Sequence, residues 1–294
     1  MDDLEVRQLR YFVAVAEELH FGRAARRLGM AQPPLSRAIR ELERGLGVRL
    51  LDRTTRHVAL TPAGEVLLRE GRTALDAVSA AARRTRHAGR PTPALRLALK
   101  ADFDAGLLPA MLAEYQRTQG LPPVELVLGG RGDQAVALRD GRADVALLPG
   151  PAEAADLDSE PLVTETRVVA LTVGDELAAR AELRLADFAG RVLPDGSPAE
   201  EDGTGTATTT GFRPRDVAEI FNMVELGRMV WFLPGSLARR HPRPGVAYRP
   251  VTDLPPFTLS VAWPRNSRSR AVAAFVRAAT GVAGSPVGAQ ARGA

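Results

Sequence analysis

Two short helical patterns joined by a tight turn constrain the first third of this chain most strongly. The first, at 23–28, stops at Gly29, a residue that suits the left-handed end of a helix. Three or four residues later, Pro33 and Pro34 fall where only the first turn of a helix tolerates proline. The second helix is expected to run to about Glu43. Its apolar face consists of Leu35, Ala38, Ile39 and Leu42. This spacing is typical of a helix-turn-helix.

An amphipathic helix precedes this pair and a small hairpin follows it. The apolar residues that predict the helix are Leu9, Phe12, Val13, Ala16 and Leu19. Two β-prone stretches, at 48–51 and 58–60, flank a polar run at 52–56 and predict a wing. We therefore expect residues 1–61 to form a mainly α-helical winged helix-turn-helix.

Charge is distributed unevenly along the chain. Residues 1–91 contain 17 arginines and 11 acidic residues, a net charge of +6. The remainder contains 22 basic and 24 acidic residues, a net charge of −2. A basic module joined to a slightly acidic one predicts that the first part binds a polyanion and the second does something else.

The polar face of the second helix has the side chains needed to read DNA. Arg37 can bond a guanine edge in bidentate fashion, Gln32 can read adenine, and Ser36 suits a phosphate or a base. The alternative is a helical hairpin with a solvated arginine face, and we favour DNA binding. The candidate contacts are Gln32, Pro33, Pro34, Ser36, Arg37 and Arg40. On the wing, Arg53 and Arg56 are expected to meet phosphates or the minor groove.

A long helix is predicted to follow the wing. Thr61 suits its N-cap and Pro62 its first turn. An apolar seam recurs every three or four residues to about Arg86 and consists of Leu60, Ala63, Leu67, Gly71, Ala74, Val78 and Ala81. The helix is either buried in its own domain or paired with its copy in a second subunit, and we favour pairing. Residues 62–92 are thus a linker and dimerisation helix that ends in a hinge at 88–93.

Beyond the hinge, apolar strands alternate with helices. The predicted strands lie at 95–99, 124–128, 145–148, 168–173, 230–233, 246–249 and 259–263. The predicted helices lie at 107–116, 134–139, 217–226 and 271–279. Such alternation predicts parallel sheets covered by helices, in one or two lobes with a break near Pro161. We expect a mobile loop at 196–211 and a disordered tail at 283–294.

Residues 7–64 resemble the DNA-binding domain of LysR-type transcriptional regulators. The agreement is dense and in order: Ala24-Ala25, Leu28, Gln32-Pro33, Leu35-Ser36, Ile39, Leu42-Glu43, Gly47, Leu50-Leu51, Arg53 and Leu60-Thr61-Pro62-Ala63-Gly64. A weaker resemblance continues to about residue 280, at 141–146 and at Phe232-Leu233-Pro234. Gly22 and Ala31 stand where the family usually has Ser or Thr caps. Each helix start is therefore expected to lose a side-chain cap worth about 1 kcal/mol.

The resemblance implies the architecture and the partners. It implies a two-lobed α/β effector domain like a periplasmic binding protein, at 93–282. Lobe 1 would take about 93–161 and 265–282, and lobe 2 about 162–264. It also implies a homodimer or homotetramer that binds inverted-repeat promoter DNA and a small effector, with RNA polymerase as a further partner.

Four residues are the candidate effector contacts. Lys100, Asp102 and Phe103 end the first strand of this domain, where ligands of α/β sheets gather. Asp102 and Arg131 match positions at which the family contacts its effectors. Lys100 and Asp102 could instead form a structural ion pair, and we leave both interpretations open. Opposite charges here favour a zwitterionic or polyhydroxylated effector.

Composition argues against other classes. With no cysteine, the chain has no disulfide, thiol nucleophile or Cys-type zinc site, and four scattered histidines do not predict a metal cluster. No apolar run is long enough to span a membrane, and the start lacks signal-peptide features, so we expect a cytoplasmic protein. A solute-binding component and an α/β enzyme are the alternatives. No catalytic triad or nucleotide motif supports an enzyme, and no cofactor is expected.

Overall fold

The computed structural model describes residues 4–53, 58–90, 93–130, 132–150, 156–201, 216–285 and 288. Residue contacts divide the chain into two compact units. The first contains residues 1–91 and 139–142, and the second contains 92–138 and 143–294. None of the described helices is long and apolar enough to cross a membrane.

The first unit contains four helices and a two-stranded hairpin. In chain order they are α1 (Val6–Glu18), α2 (Phe21–Arg27), α3 (Gln32–Leu46), β1 (Leu51–Arg53), β2 (Val58–Leu60) and α4 (Pro62–Ala88). The hairpin strands are antiparallel, with Leu51 opposite Leu60. Apolar faces of α1, α2 and α3 form the core with Leu50 and Leu51.

Two local predictions in this unit are wrong. The first wing strand begins at Leu51 rather than at 48, because α3 continues to Leu46 and ends at Gly47, which has a φ of +67°. Val48 therefore lies in the exposed turn. Helix α2 also keeps a side-chain cap. Its N-cap is His20, two residues before Gly22, and the His20 Nδ1 atom accepts hydrogen bonds from the backbone N–H groups of Gly22 (3.0 Å) and Arg23 (3.2 Å).

The second unit contains two sheets. Its elements are β3 (Leu95–Leu99), α5 (Leu108–Gln116), β4 (Val124–Leu128), α6 (Asp133–Arg139), β5 (Val145–Pro149), β6 (Leu157–Glu165), β7 (Arg167–Thr172), α7 (Val217–Glu225), β8 (Trp231–Pro234), α8 (Gly235–Arg240), β9 (Val246–Pro250), β10 (Phe257–Pro264) and α9 (Arg270–Gly284). Short 3₁₀ turns lie at Glu176–Ala179, Leu185–Phe188 and Ala199–Glu201.

The sheets are less parallel than the alternating pattern predicts. In the five-stranded sheet, in the order β4-β3-β5-β10-β6, only the β3 pairings with β4 and β5 are parallel. Strand β10 runs antiparallel to β5 and β6. The three-stranded sheet, in the order β8-β7-β9, is antiparallel throughout. Each sheet packs its own apolar clusters, so the unit has two lobes.

The strand pairing also moves the lobe boundaries. The break expected near Pro161 does not occur, because β6 continues through this proline with a register shift opposite Leu259 and Ser260. Strand β6 lies at the sheet edge, where a proline costs no ladder hydrogen bond. All of β6 and β10 thus belong to the lobe 1 sheet. The prediction that residues 162–165 and 257–264 belong to lobe 2 is therefore wrong. Helix α9 extends two residues into the expected tail, and residues 202–211 of the expected loop lie outside the described part.

Candidate functional site

Helix α3 presents two chemically different faces. Leu35, Ile39 and Leu42 are almost completely buried against α1 and α2. Among the predicted DNA contacts, Ser36 is half-buried, and five are exposed: Gln32, Pro33, Pro34, Arg37 and Arg40. The Arg40 Nε atom donates to the Ser36 carbonyl oxygen at 3.2 Å, so this arginine lies along its own helix. The buried face fixes the helix, and the polar face is open to a partner.

The turn before α3 is held by backbone hydrogen bonds. Gly29 has a φ of +65°, which only glycine adopts readily, and the Met30 N–H donates to the Ala25 carbonyl at 3.0 Å. The N-cap of α3 is Ala31, which makes no side-chain cap bond, as the sequence predicts. Residues Pro33 and Pro34 occupy the first turn, where their missing N–H groups cost nothing.

A carboxylate joins α3 to the wing. Glu43 Oε1 accepts hydrogen bonds from the backbone N–H groups of Leu50 (3.0 Å) and Leu51 (3.2 Å). Sequence patterns did not assign this role to Glu43, because its partners are seven and eight residues away on a different element. Arg53 is the last residue of β1, opposite Val58. Arg56 lies outside the described residues.

Helix α4 packs on α1 through an ion-pair cluster. Glu17 binds Arg72 Nη2 and Arg27 Nη1, each at 2.7 Å. Burial alone would raise the pKa of Glu17, but hydrogen bonds from Arg72 and Arg27 outweigh it and hold that pKa below its ordinary value. This cluster fixes α4 relative to the helix-turn-helix.

The described residues cover only the first half of the predicted seam on α4. Gly71 is buried, and a Cβ added there would lie 3.3 Å from Leu9 on α1. Further along, Ala74, Val78 and Ala81 are exposed. Among the described residues an apolar stripe of α4 thus remains exposed, which favours the predicted pairing with a second copy over burial within its own domain.

The two lobes of the second unit enclose a cleft of about 930 Å³. Lobe 1 contributes Lys100, Asp102 and the Gly129-Gly130 turn to its walls. Lobe 2 contributes both charged and aromatic residues, which include Arg167, Phe221, Trp231, Phe232, His241 and Arg243. A cleft of this size, apolar with a few polar groups, is typical of a small-molecule site.

Three of the four predicted effector residues, Lys100, Asp102 and Phe103, lie on the loop that follows β3. Lys100 Nζ lies 4.1 Å from the centre of the Phe103 ring, a cation–π distance. Phe103 does not line the cleft; its ring packs against Trp231 of lobe 2 and Phe257 of lobe 1. Arg131 lies outside the described residues, although Gly129 and Gly130 before it line the cleft.

Asp102 meets lobe 2 residues that the sequence did not single out. Its Oδ1 atom lies 3.6 Å from Arg240 Nη2 and 3.7 Å from His241 Nε2. The neighbouring Asp104 is buried and binds Arg240 Nη1 more closely. These partners are more than 130 residues apart in the chain, so no local pattern could reveal them.

The hinge between the lobes contains a buried carboxylate. Glu165, at the end of β6, accepts hydrogen bonds from the Ser236 N–H and from its hydroxyl, both at 2.6 Å. The Gly235 N–H donates to the Thr166 carbonyl at 3.2 Å. The start of α8 is therefore tied to the end of β6 and to Thr166, which leads from lobe 1 into lobe 2. Arg240, at the end of α8, binds the lobe 1 loop.

Comparison with known proteins identifies the family. Residues 6–65 match the family described as bacterial regulatory helix-turn-helix protein, lysR family, and residues 88–284 match the LysR substrate binding domain. The chain belongs to the LysR family of transcriptional regulators. It is a ligand-responsive DNA-binding regulator, with a helix-turn-helix and an effector-binding domain. Regulators of this family bind promoter DNA and small-molecule effectors and form oligomers.

Individual relatives cover nearly the whole regulator. The HTH-type transcriptional regulator IlvR of Caulobacter vibrioides is 34% identical over 94% of this chain and 98% of its own. AlsR of Bacillus subtilis is 33% identical over 85% of this chain and 87% of its own. Among solved structures, the oxidized form of Corynebacterium glutamicum OxyR is 28% identical, with a TM-score of 0.51 over 95% of this chain and 93% of that one.

Proposed function

We propose that the regulator reads inverted-repeat half-sites by placing α3 of each subunit in a major groove. The observation that carries this proposal is the division of α3 into a buried Leu/Ile face and an exposed face bearing Gln32, Arg37 and Arg40. In this arrangement Gln32, Pro33, Ser36 and Arg37 meet base edges. Arg40 and the wing residues Arg53 and Arg56 bind phosphates or the minor groove.

Effector binding occurs, in this proposal, in the cleft between the lobes. Lys100, Asp102 and Arg131 contact the effector, and the Phe103 ring, 4.1 Å from Lys100 Nζ, supports Lys100. The regulator works in the cytoplasm, where promoter DNA lies, and acts by binding rather than by catalysis. Contact with RNA polymerase stays a prediction.

Competition binding with Arg37→Ala tests the groove assignment. Loss of a bidentate guanine contact is expected to cost about 1–3 kcal/mol and to relax specificity at one base pair. Arg53→Ala is the matched variant, because loss of a phosphate contact weakens all sequences alike and reduces the salt slope by about one. Unchanged half-site preference in Arg37→Ala would show that α3 does not read bases through this residue.

A further inference from the structure

Two polar groups that line the cleft, one from each lobe, approach each other without forming a hydrogen bond. Asp102 Oδ1 on lobe 1 and His241 Nε2 on lobe 2 are 3.7 Å apart, too far for a hydrogen bond. The Nε2 atom is buried and has no hydrogen-bond partner among the described residues. Leaving such an atom unpaired is costly, so it marks a place where a ligand group gains binding energy.

The position of Asp102 is set by its own loop. Asp102 has a φ of +67° and Ala105 one of +53°, conformations that cost energy for residues with a side chain. Asp104 anchors the loop, since its carboxylate binds Arg240 and accepts the Leu108 N–H at 3.3 Å. Asp104 is thus the closer partner of Arg240, and Asp102 lies farther from that guanidinium, at 3.6 Å.

The position of His241 is fixed equally well on lobe 2. It follows α8 directly, and its ring lies against Phe221, with the ring centres 5.4 Å apart. Its backbone carbonyl accepts a hydrogen bond from the Tyr248 hydroxyl at 2.6 Å. The two walls therefore present preformed groups, which reduces the ordering cost of binding.

The chemistry of the pair selects one kind of ligand group. A carboxylate only accepts hydrogen bonds, and the Nε2 atom also accepts when the ring proton is on Nδ1. A primary ammonium group has three donors and a positive charge, so it can bond both atoms at once. We propose that Asp102 and His241 form an ammonium subsite, for a small primary ammonium compound whose apolar part packs on Phe221 and Trp231. This inference rests on the proposed effector function of the cleft.

Thermal unfolding of the full chain with a defined panel of compounds tests the inference. The panel is the twenty L-amino acids and phenethylamine, and each compound that binds is compared with its deaminated and 2-hydroxy analogues. We expect at least one ammonium compound to raise the Tm and its two analogues to give no shift. Asp102→Asn, which tolerates the left-handed backbone, and His241→Phe, which keeps the ring packing, should weaken that binding at least tenfold. Asp158→Asn, a surface carboxylate paired with Arg265, is the control and should bind as wild type does.

Several outcomes would overturn the ammonium subsite. These are the absence of any shift across the panel, an equal shift with a 2-hydroxy analogue, and wild-type affinity in both cleft variants. The comparison of analogues uses the wild-type chain and does not depend on whether a variant folds. DNA binding by the same wild-type preparation separates the ammonium subsite from the proposed regulator function. If the protein binds DNA in a salt-dependent way but no ammonium compound binds, only the ammonium subsite is contradicted.

Discussion

At the scale of single residues, polar side chains fix the ends of elements that carry function. Glu43 holds the first wing strand through two backbone N–H groups, and His20 accepts two N–H groups at the start of α2. A histidine is an uncommon helix cap, but a neutral ring nitrogen accepts as a carboxylate or hydroxyl oxygen does. The start of α3 lacks such a side chain, and Pro33 and Pro34 restrict the backbone there instead.

Removal of the His20 cap should loosen α2. We expect His20→Ala to destabilise the first unit by about 1 kcal/mol, because two N–H groups lose their acceptor. His20→Asn, which retains an acceptor at the N-cap, should lose much less. Hydrogen–deuterium exchange of peptides covering α2 measures both variants, and equal protection in His20→Ala and wild type would contradict the assigned cap.

At the scale of elements, α4 begins in close contact with the wing. Thr61 Oγ1 accepts the Gly64 N–H at 3.0 Å and donates to the Arg49 carbonyl at 2.7 Å. A Cβ added to Gly64 would lie 2.1 Å from the Leu50 carbonyl oxygen, which is backbone and cannot move aside cheaply. The glycine therefore permits the helix to approach the strand that leads into the wing.

Gly64→Ala should separate these two elements. We expect it to destabilise the first unit by about 1–3 kcal/mol through overpacking. Gly45→Ala in α3 is the matched control, since its added Cβ meets nothing within 4 Å and should stabilise the helix by about 0.5–1 kcal/mol. Calorimetric unfolding measures the stability of both variants. A Gly64→Ala protein as stable as wild type would show that α4 does not pack tightly against Leu50.

At the scale of the whole molecule, local patterns predicted the helix-turn-helix and most strands, because these depend on the spacing of apolar residues close together in the chain. They failed where distant residues decide the structure. Strand β6 passes through Pro161 because it lies at a sheet edge, and β10 joins the lobe 1 sheet only through pairing with distant strands. Likewise, the lobe 1 loop with Asp102 was predicted at the effector site, whereas Arg240 and His241 required the folded structure.

Oligomer formation should depend on the uncovered stripe of α4. Val78 is 39% exposed in the single chain, and Ala74 and Ala81 lie beside it on the same helix face. We expect Val78→Glu to weaken self-association at least tenfold, because a charge would be buried without a partner. Arg83→Glu, on the opposite face of α4, should leave it intact. Sedimentation velocity measures both, and unchanged association of Val78→Glu would place the interface elsewhere.

Sequence recognition by this regulator requires that α3 enter the major groove of duplex DNA. Hydroxyl-radical footprinting of the wild-type regulator on the intergenic DNA beside its own coding sequence tests this most directly. We predict two protected half-sites in inverted orientation, with centres about one helical turn or a multiple of it apart, and protection that weakens as salt rises. An absence of protection on that DNA even at low ionic strength would contradict the placement of α3 in the major groove.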